Sequence, residues 1–258
     1  MFDRLRQVLA HTGRVDSRRR TVFQTSLMSA LLDGVYDGDL TVGELLEHGD
    51  FGLGTFNALD GEMLVLDGVC HRLRADGTAE RASLDDRTPF AVVTPFEPTV
   101  GFDVTTRTSR ADVVAQIIER EDSQNYLFAV RVRGRFESVT TRTVRKQQKP
   151  YPPMREAVKD EAIVTFEAVD GTVAGFRTPL YERGIGVPGG HVHFIDDEFT
   201  AGGHVLDFVL ERGRVDICKG TDLQLRLPLD ESFGEADLDP EDLDTQVRNA
   251  ENSRPPSQ

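Results

Sequence analysis

The eight residues Lys146-Gln147-Gln148-Lys149-Pro150-Tyr151-Pro152-Pro153 prevent any regular element from running through the middle of this chain. Each proline lacks a backbone donor and holds the residue before it in extended conformations. The fold must therefore be assembled from pieces on either side, and we place a domain boundary at residue 150. From about residue 23 to that point helix and strand signals alternate; beyond it nearly every signal is strand. Residues 1–22 form a third zone, with Arg4, Arg6, Arg14, Arg18, Arg19 and Arg20 and little patterning, and read as a frayed arm or short helix. The expectation is an α/β (α+β) protein of two domains, 23–150 and 151–258, built on mixed and antiparallel sheets.

Local patterns fill in the zones. Residues 27–32 are a helix candidate stopped by Gly34, and Thr41-Val42-Gly43-Glu44 is a capping box ahead of Leu45 and Leu46. Strands are expected at residues 55–58, 63–73 and 90–94. Ser109 caps an amphipathic helix with Val113, Val114, Ile117 and Ile118 on one face. Phe128, Val130 and Val132 then alternate with Arg131 and Arg133, the period of a half-buried strand. In the second half, strands at 162–168 and 173–176 are expected to join at an Asp170-Gly171 hairpin turn. Further strands are expected at 191–195, 204–210, 215–219 and 223–228. Residues 230–244 hold eight acidic residues in fifteen, a composition that by itself predicts disorder.

Charge narrows the function. A formal net charge of −14 over 258 residues argues against a general nucleic-acid binder, which needs a cationic surface, but leaves room for a small anionic substrate in a locally positive pocket. No apolar run approaches the ~20 residues of a membrane span. The start of the chain has no signal-like hydrophobic stretch, and Cys70 and Cys218 are too few for a disulfide framework, so residence in a reducing cytoplasm is expected.

Three of the six histidines fall within fourteen residues, at His191, His193 and His204. On a strand, His191 and His193 point to one face while Val192 and Phe194 point to the other. Asp196, Asp197 and Ala201-Gly202-Gly203 suit a reversal, after which an antiparallel return sets His204 beside the pair. One histidine on a strand is an ordinary polar residue. Three converging imidazoles with a fourth position left for water or substrate have the composition of an open, catalytic zinc site on a β-hairpin. Two other motifs carry less. Gly184-Ile185-Gly186-Val187-Pro188-Gly189 has the letters of a dinucleotide loop but precedes a strand rather than opening a helix. Asp33 to Glu44 resembles a calcium loop, but Val35 stands where an oxygen ligand is required.

Several segments together carry a family resemblance: residues 31–38 (Leu-Leu-Asp-Gly-Val-Tyr-Asp-Gly), 52–62 (Gly-Leu-Gly-Thr-Phe-Asn-Ala-Leu-Asp-Gly-Glu), Lys149-Pro150-Tyr151-Pro152-Pro153 and 190–204. In these the chain resembles the bacterial α-acetolactate decarboxylases, from about residue 23 to about residue 251. The resemblance implies a lyase that converts 2-acetolactate to acetoin and carbon dioxide on the route to butane-2,3-diol. It also implies a two-domain α/β fold, a homodimer formed through the N-terminal sheet, and one zinc ion held by His191, His193 and His204. Glu62, Arg142 and Thr55 would line the site, and Glu251 would fold back toward the metal. The chemistry suits those residue types. Acetolactate is a β-keto acid, so a Lewis acid on its ketone and hydroxyl stabilises the charge that develops as carbon dioxide leaves. A carboxylic acid must then deliver a proton, a role open to Glu62 or Glu251. Arg142 offers a bidentate fork for a carboxylate.

Overall fold

The computed structural model describes residues 19–121 and 123–252, without the side chains of Arg248, Glu251 and Asn252. The arginine-rich arm, up to residue 18, lies outside them. The first stretch runs β1 (Thr21–Thr25), α1 (Met28–Asp33), β2 (Leu40–Thr41), α2 (Val42–Leu46), β3 (Phe51–Thr55), β4 (Glu62–Leu66), β5 (Val69–Leu73) and β6 (Ala79–Arg81). Next come β7 (Arg87–Thr88), β8 (Phe90–Thr94), β9 (Val100–Val104), β10 (Thr108–Ser109), α3 (Arg110–Arg120) and β11 (Leu127–Val144). The chain closes with α4 (Met154–Ala157), β12 (Glu161–Thr178), β13 (Gly189–Asp196), β14 (Gly202–Gly220), β15 (Asp222–Arg226), α5 (Glu231–Glu235) and α6 (Leu243–Asn252).

Two sheets carry the fold. One has seven strands in the order β15-β1-β8-β3-β4-β5-β6, and is mixed because β15 pairs parallel with β1. The other has six strands, β9 to β14, all antiparallel. The mixed and antiparallel sheets expected from the sequence are both present. Residues 146–153 hold no helix or strand, as their prolines require. Hydrogen bonding nevertheless crosses them in both sheets: β11 pairs with β12 from Phe128↔Arg177 to Val144↔Glu161, and β15 lies against β1.

Several local signals act as expected. Gly34 ends α1 at φ 103, in the left-handed region that glycine adopts without penalty. Thr41 and Glu44 form the reciprocal capping box of α2, and the Ser109 hydroxyl accepts the Asp112 N–H at the start of α3. Others correct the expectation. The strand at 55–58 instead ends at Thr55 and gives way to a 3₁₀ turn over Asn57–Leu59. Residues 63–73 are two strands, turning at Asp67 and Gly68, both of positive φ. Asp170-Gly171 is no turn but lies inside the 18-residue strand β12. Gly134, Gly171 and Gly213 stand side by side on β11, β12 and β14, and a Cβ on Gly134 would come within 2.2 Å of the Arg212 carbonyl oxygen. Glycine is needed there for close backbone approach, and β14 is likewise continuous from Gly202 to Gly220.

The layers follow from the alternation of side chains. Leu53 and Leu64 of the first sheet meet Ala174, Phe176, Ile195 and Cys218 of the second in the central core. The outer face of the first sheet packs Met63 and Val65 under Val42 and Leu45 of α2. The outer face of the second packs Val130, Val132, Phe194 and Phe208 under Val113 and Ile117 of α3.

Candidate active site and metal centre

Strand β13 turns Phe194 outward into the core beneath α3 and directs His191 and His193 inward, between the sheets. The reversal after it is fixed by Asp196, whose carboxylate accepts the Thr200 N–H, the Thr200 hydroxyl and the Ala201 N–H. β14 then returns with His204 directly opposite His193. One nitrogen from each of the three imidazoles lies within 4.8 Å of the others. His193 and His204 are buried and His191 is partly so.

The first sheet orients this cluster. The Met63 carbonyl of β4 lies 2.8 Å from His193 Nδ1 and accepts its N–H. That leaves the lone pair on Nε2, which is buried, has no hydrogen-bond partner and lies 3.6 Å from a Glu62 carboxylate oxygen. Burial, aided by the Arg142 charge, pushes His191 down to about 3; burial and then His191 push His193 well below its ordinary value. Both rings are therefore neutral near pH 7, the form that binds a metal. Three nitrogen donors, two of them on neutral rings and one with an unsatisfied buried lone pair, fit a borderline cation such as zinc.

Arg142, on β11, is the residue paired with His204 and is 4% exposed. One amino nitrogen donates to Glu161 at 3.2 Å, the other donates to the Ala250 carbonyl of α6, and Nε is buried without a partner. Glu62 opens β4 opposite Thr55, whose hydroxyl donates to the Gly61 carbonyl at 2.9 Å and keeps its oxygen lone pairs for another donor. Thr55, Glu62, Arg142, His191 and His204 line one cavity, walled on its apolar side by residues including Met28, Leu31, Phe90 and Met154. A buried cation, a carboxyl group and a nitrogen cluster thus face a common space that can hold a small anion and move a proton.

Six of the seven residues singled out from the sequence come together here. The seventh, Glu251, belongs to α6, and its side chain lies outside the described residues; the adjacent Ala250 lines the cavity. Helix α6 docks through Leu243, Val247 and Ala250, all buried, so the disorder suggested by composition is overcome by an apolar face spaced i, i+4, i+7. Sequence reasoning missed Glu161 and the carbonyls of Met63 and Ala250. A backbone carbonyl has no residue-type signature, and Glu161 sits in an ordinary polar run, Lys159-Asp160-Glu161.

Residues 22–240 match the family model described as alpha-acetolactate decarboxylase. The chain belongs to that family. It is accordingly an enzyme of the carboxy-lyase class. The alpha-acetolactate decarboxylase of Bacillus subtilis strain 168 is 44% identical over 247 residues, covering 96% of each chain. That of Klebsiella aerogenes is 44% identical, covering 90% of this chain and 89% of its own. The crystal structure of the Bacillus subtilis alpha-acetolactate decarboxylase superposes with a TM-score of 0.89 at 45% identity, over 90% of this chain and 100% of that one. The family match spans both sheets, so it covers the N-terminal strands that carry Thr55 and Glu62 as well as the histidine hairpin. Among the described residues no helix is long and apolar enough to cross a membrane.

Proposed function

We propose that this chain decarboxylates 2-acetolactate to acetoin and carbon dioxide, with zinc held by His191, His193 and His204, as a step of acetoin and butane-2,3-diol formation. The observation that carries the reading is that the three-imidazole cluster reaches, through His191 and His204, the wall of the same cavity that Arg142 and Glu62 line. When bound, zinc supplies Lewis acidity toward the ketone and hydroxyl oxygens of the substrate. Arg142 holds the substrate carboxylate with the N–H groups its neighbours leave unused. Thr55 accepts a hydrogen bond from the substrate hydroxyl. The apolar wall excludes water, which strengthens each of these contacts. As the carboxylate leaves as carbon dioxide, its bonding pair stays on the former α-carbon, and a carboxylic acid at Glu62 or Glu251 gives that carbon a proton. Net, one acetolactate anion and one proton yield acetoin and carbon dioxide.

Two further features belong to this reading. Cys70 and Cys218 are free and buried, which fits a reducing cytoplasm. The enzyme acts as a homodimer joined through the first sheet. The test is metal analysis of purified protein with an acetoin assay on 2-acetolactate: about one zinc per chain and acetoin formation that stops on chelation are expected. Zinc-loaded protein that forms no acetoin would sink the proposal.

A further inference from the structure

Arg142 is held in a clamp that the reaction itself does not call for. Glu161 opens β12 and lies diagonally across from Arg142: the pairing sets Glu161 opposite Val144 and Arg142 opposite Ile163, all on one face of the sheet. The two side chains are 4% and 10% exposed, and the contact is 3.2 Å. The second amino nitrogen of Arg142 donates to the Ala250 carbonyl, while Nε has no partner. A guanidinium is a rigid planar fork, so fixing both amino nitrogens fixes the direction of every other N–H. Charge matters as well as geometry. A buried cation without a counter-ion is strongly destabilised, and this one stands beside three imidazoles suited to a dication. Glu161 is the only carboxylate within ion-pair distance of Arg142 among the described side chains, and it is not among the residues that line the cavity.

We propose that Glu161 is a positioning residue, whose carboxylate aims the Arg142 guanidinium at a substrate carboxylate and supplies the counter-charge for a buried arginine beside the metal centre. It rests on the reading of Arg142 as the carboxylate-binding group. Glu161 touches Arg142 and not the substrate.

The experiment uses Glu161→Gln and Glu161→Leu in the full-length, zinc-loaded protein, with Arg142→Gln and the Glu161→Gln/Arg142→Gln pair beside them. Acetoin kinetics are read together with calorimetric binding of 2-hydroxy-2-methylpropanoate, an α-hydroxy acid with no ketone and hence no route to decarboxylation. Glu161→Gln, which keeps an acceptor but loses the charge, is expected to raise KM and weaken the probe by roughly tenfold; Glu161→Leu should do so by roughly a hundredfold. Metal content stays at one per chain and kcat changes less than KM. In the Arg142→Gln background, Glu161→Gln should add nothing to the loss of probe binding. Unchanged KM and probe affinity in Glu161→Gln overturn the proposal, as do losses that multiply in the double variant. A lower melting temperature with unaltered KM also overturns it, because that is what a purely structural ion pair would give. If Arg142→Gln alone leaves the probe bound as before, the reading of Arg142 falls and Glu161 falls with it. If the wild-type protein makes no acetoin yet the probe responds as described, the reaction assigned above fails while the positioning role stands.

Discussion

Arg142 and His193 are the two side chains on which the chemistry bears most directly, and each makes a sharp prediction. Arg142→Lys keeps the charge, but an ammonium cannot span from Glu161 to the Ala250 carbonyl as the guanidinium does. Steady-state kinetics should show kcat/KM lower by roughly tenfold or more. Wild-type values would mean that the fork geometry is idle. His193→Ala removes the ring held by the Met63 carbonyl and with it one of three nitrogen donors. Metal analysis of that variant should find well under one zinc per chain, with acetoin formation at background. At this scale the sequence was informative wherever a residue type announces its own chemistry. His-x-His on a strand with a third histidine after a reversal pointed to a metal site rather than to separate polar residues once period two was applied. Glu161, whose side chain is 10% exposed, gave no sign, because what distinguishes it is a partner on another strand 19 positions away.

Helix α6 shows how an element can be fixed by a few apolar positions against an unfavourable composition. Val247 is 5% exposed in the central core, on the helix whose Ala250 carbonyl receives Arg142. Val247→Asp should undock the helix, and we expect at least tenfold loss of kcat/KM with zinc retained, since none of the three histidines lies on it. Loss of the metal in that variant would show that α6 supports the histidine hairpin too. The capping box of α2 offers a pH test. Glu44 accepts the Thr41 N–H and hydroxyl, and these hydrogen bonds hold its carboxyl below the usual range. A depressed carboxylate stabilises fully above its unfolded value of ~4.3 and loses that contribution as pH falls through the folded one. Thermal melts should show Glu44→Ala below wild type by roughly 2 °C or less at pH 7, with the gap closing on acidification. A gap that widens on acidification would reverse the assignment. Caps and amphipathic faces are local, which is why α1, α2 and α3 could be read in advance. Asp170-Gly171 could not, since a glycine that makes a turn and a glycine that lets three strands crowd together look alike until the neighbours Gly134 and Gly213 are known.

At the scale of the whole molecule, the first sheet ends in an edge strand with an apolar fringe. Leu223, Leu225 and Leu227 are 41%, 36% and 47% exposed on or just past β15. An edge of this kind is normally covered, and a second copy of the chain would cover it symmetrically. If a second copy docks on this edge, Leu225→Lys should lower the mass measured by light scattering at micromolar concentration; an unchanged mass would place any contact elsewhere. The same corner of the protein carries a consequence for its synthesis. β1 is flanked on one side by β8 and on the other by β15, with Thr21 opposite Asp222. A ribosome adding roughly 5–20 residues per second needs on the order of 10–40 s to travel between those two partners. Throughout that interval β1 presents one bare flank to solvent, inside a sheet that is otherwise able to form. The nascent chain should therefore be most in need of a chaperone after its first sheet has begun to assemble and before its last strand emerges.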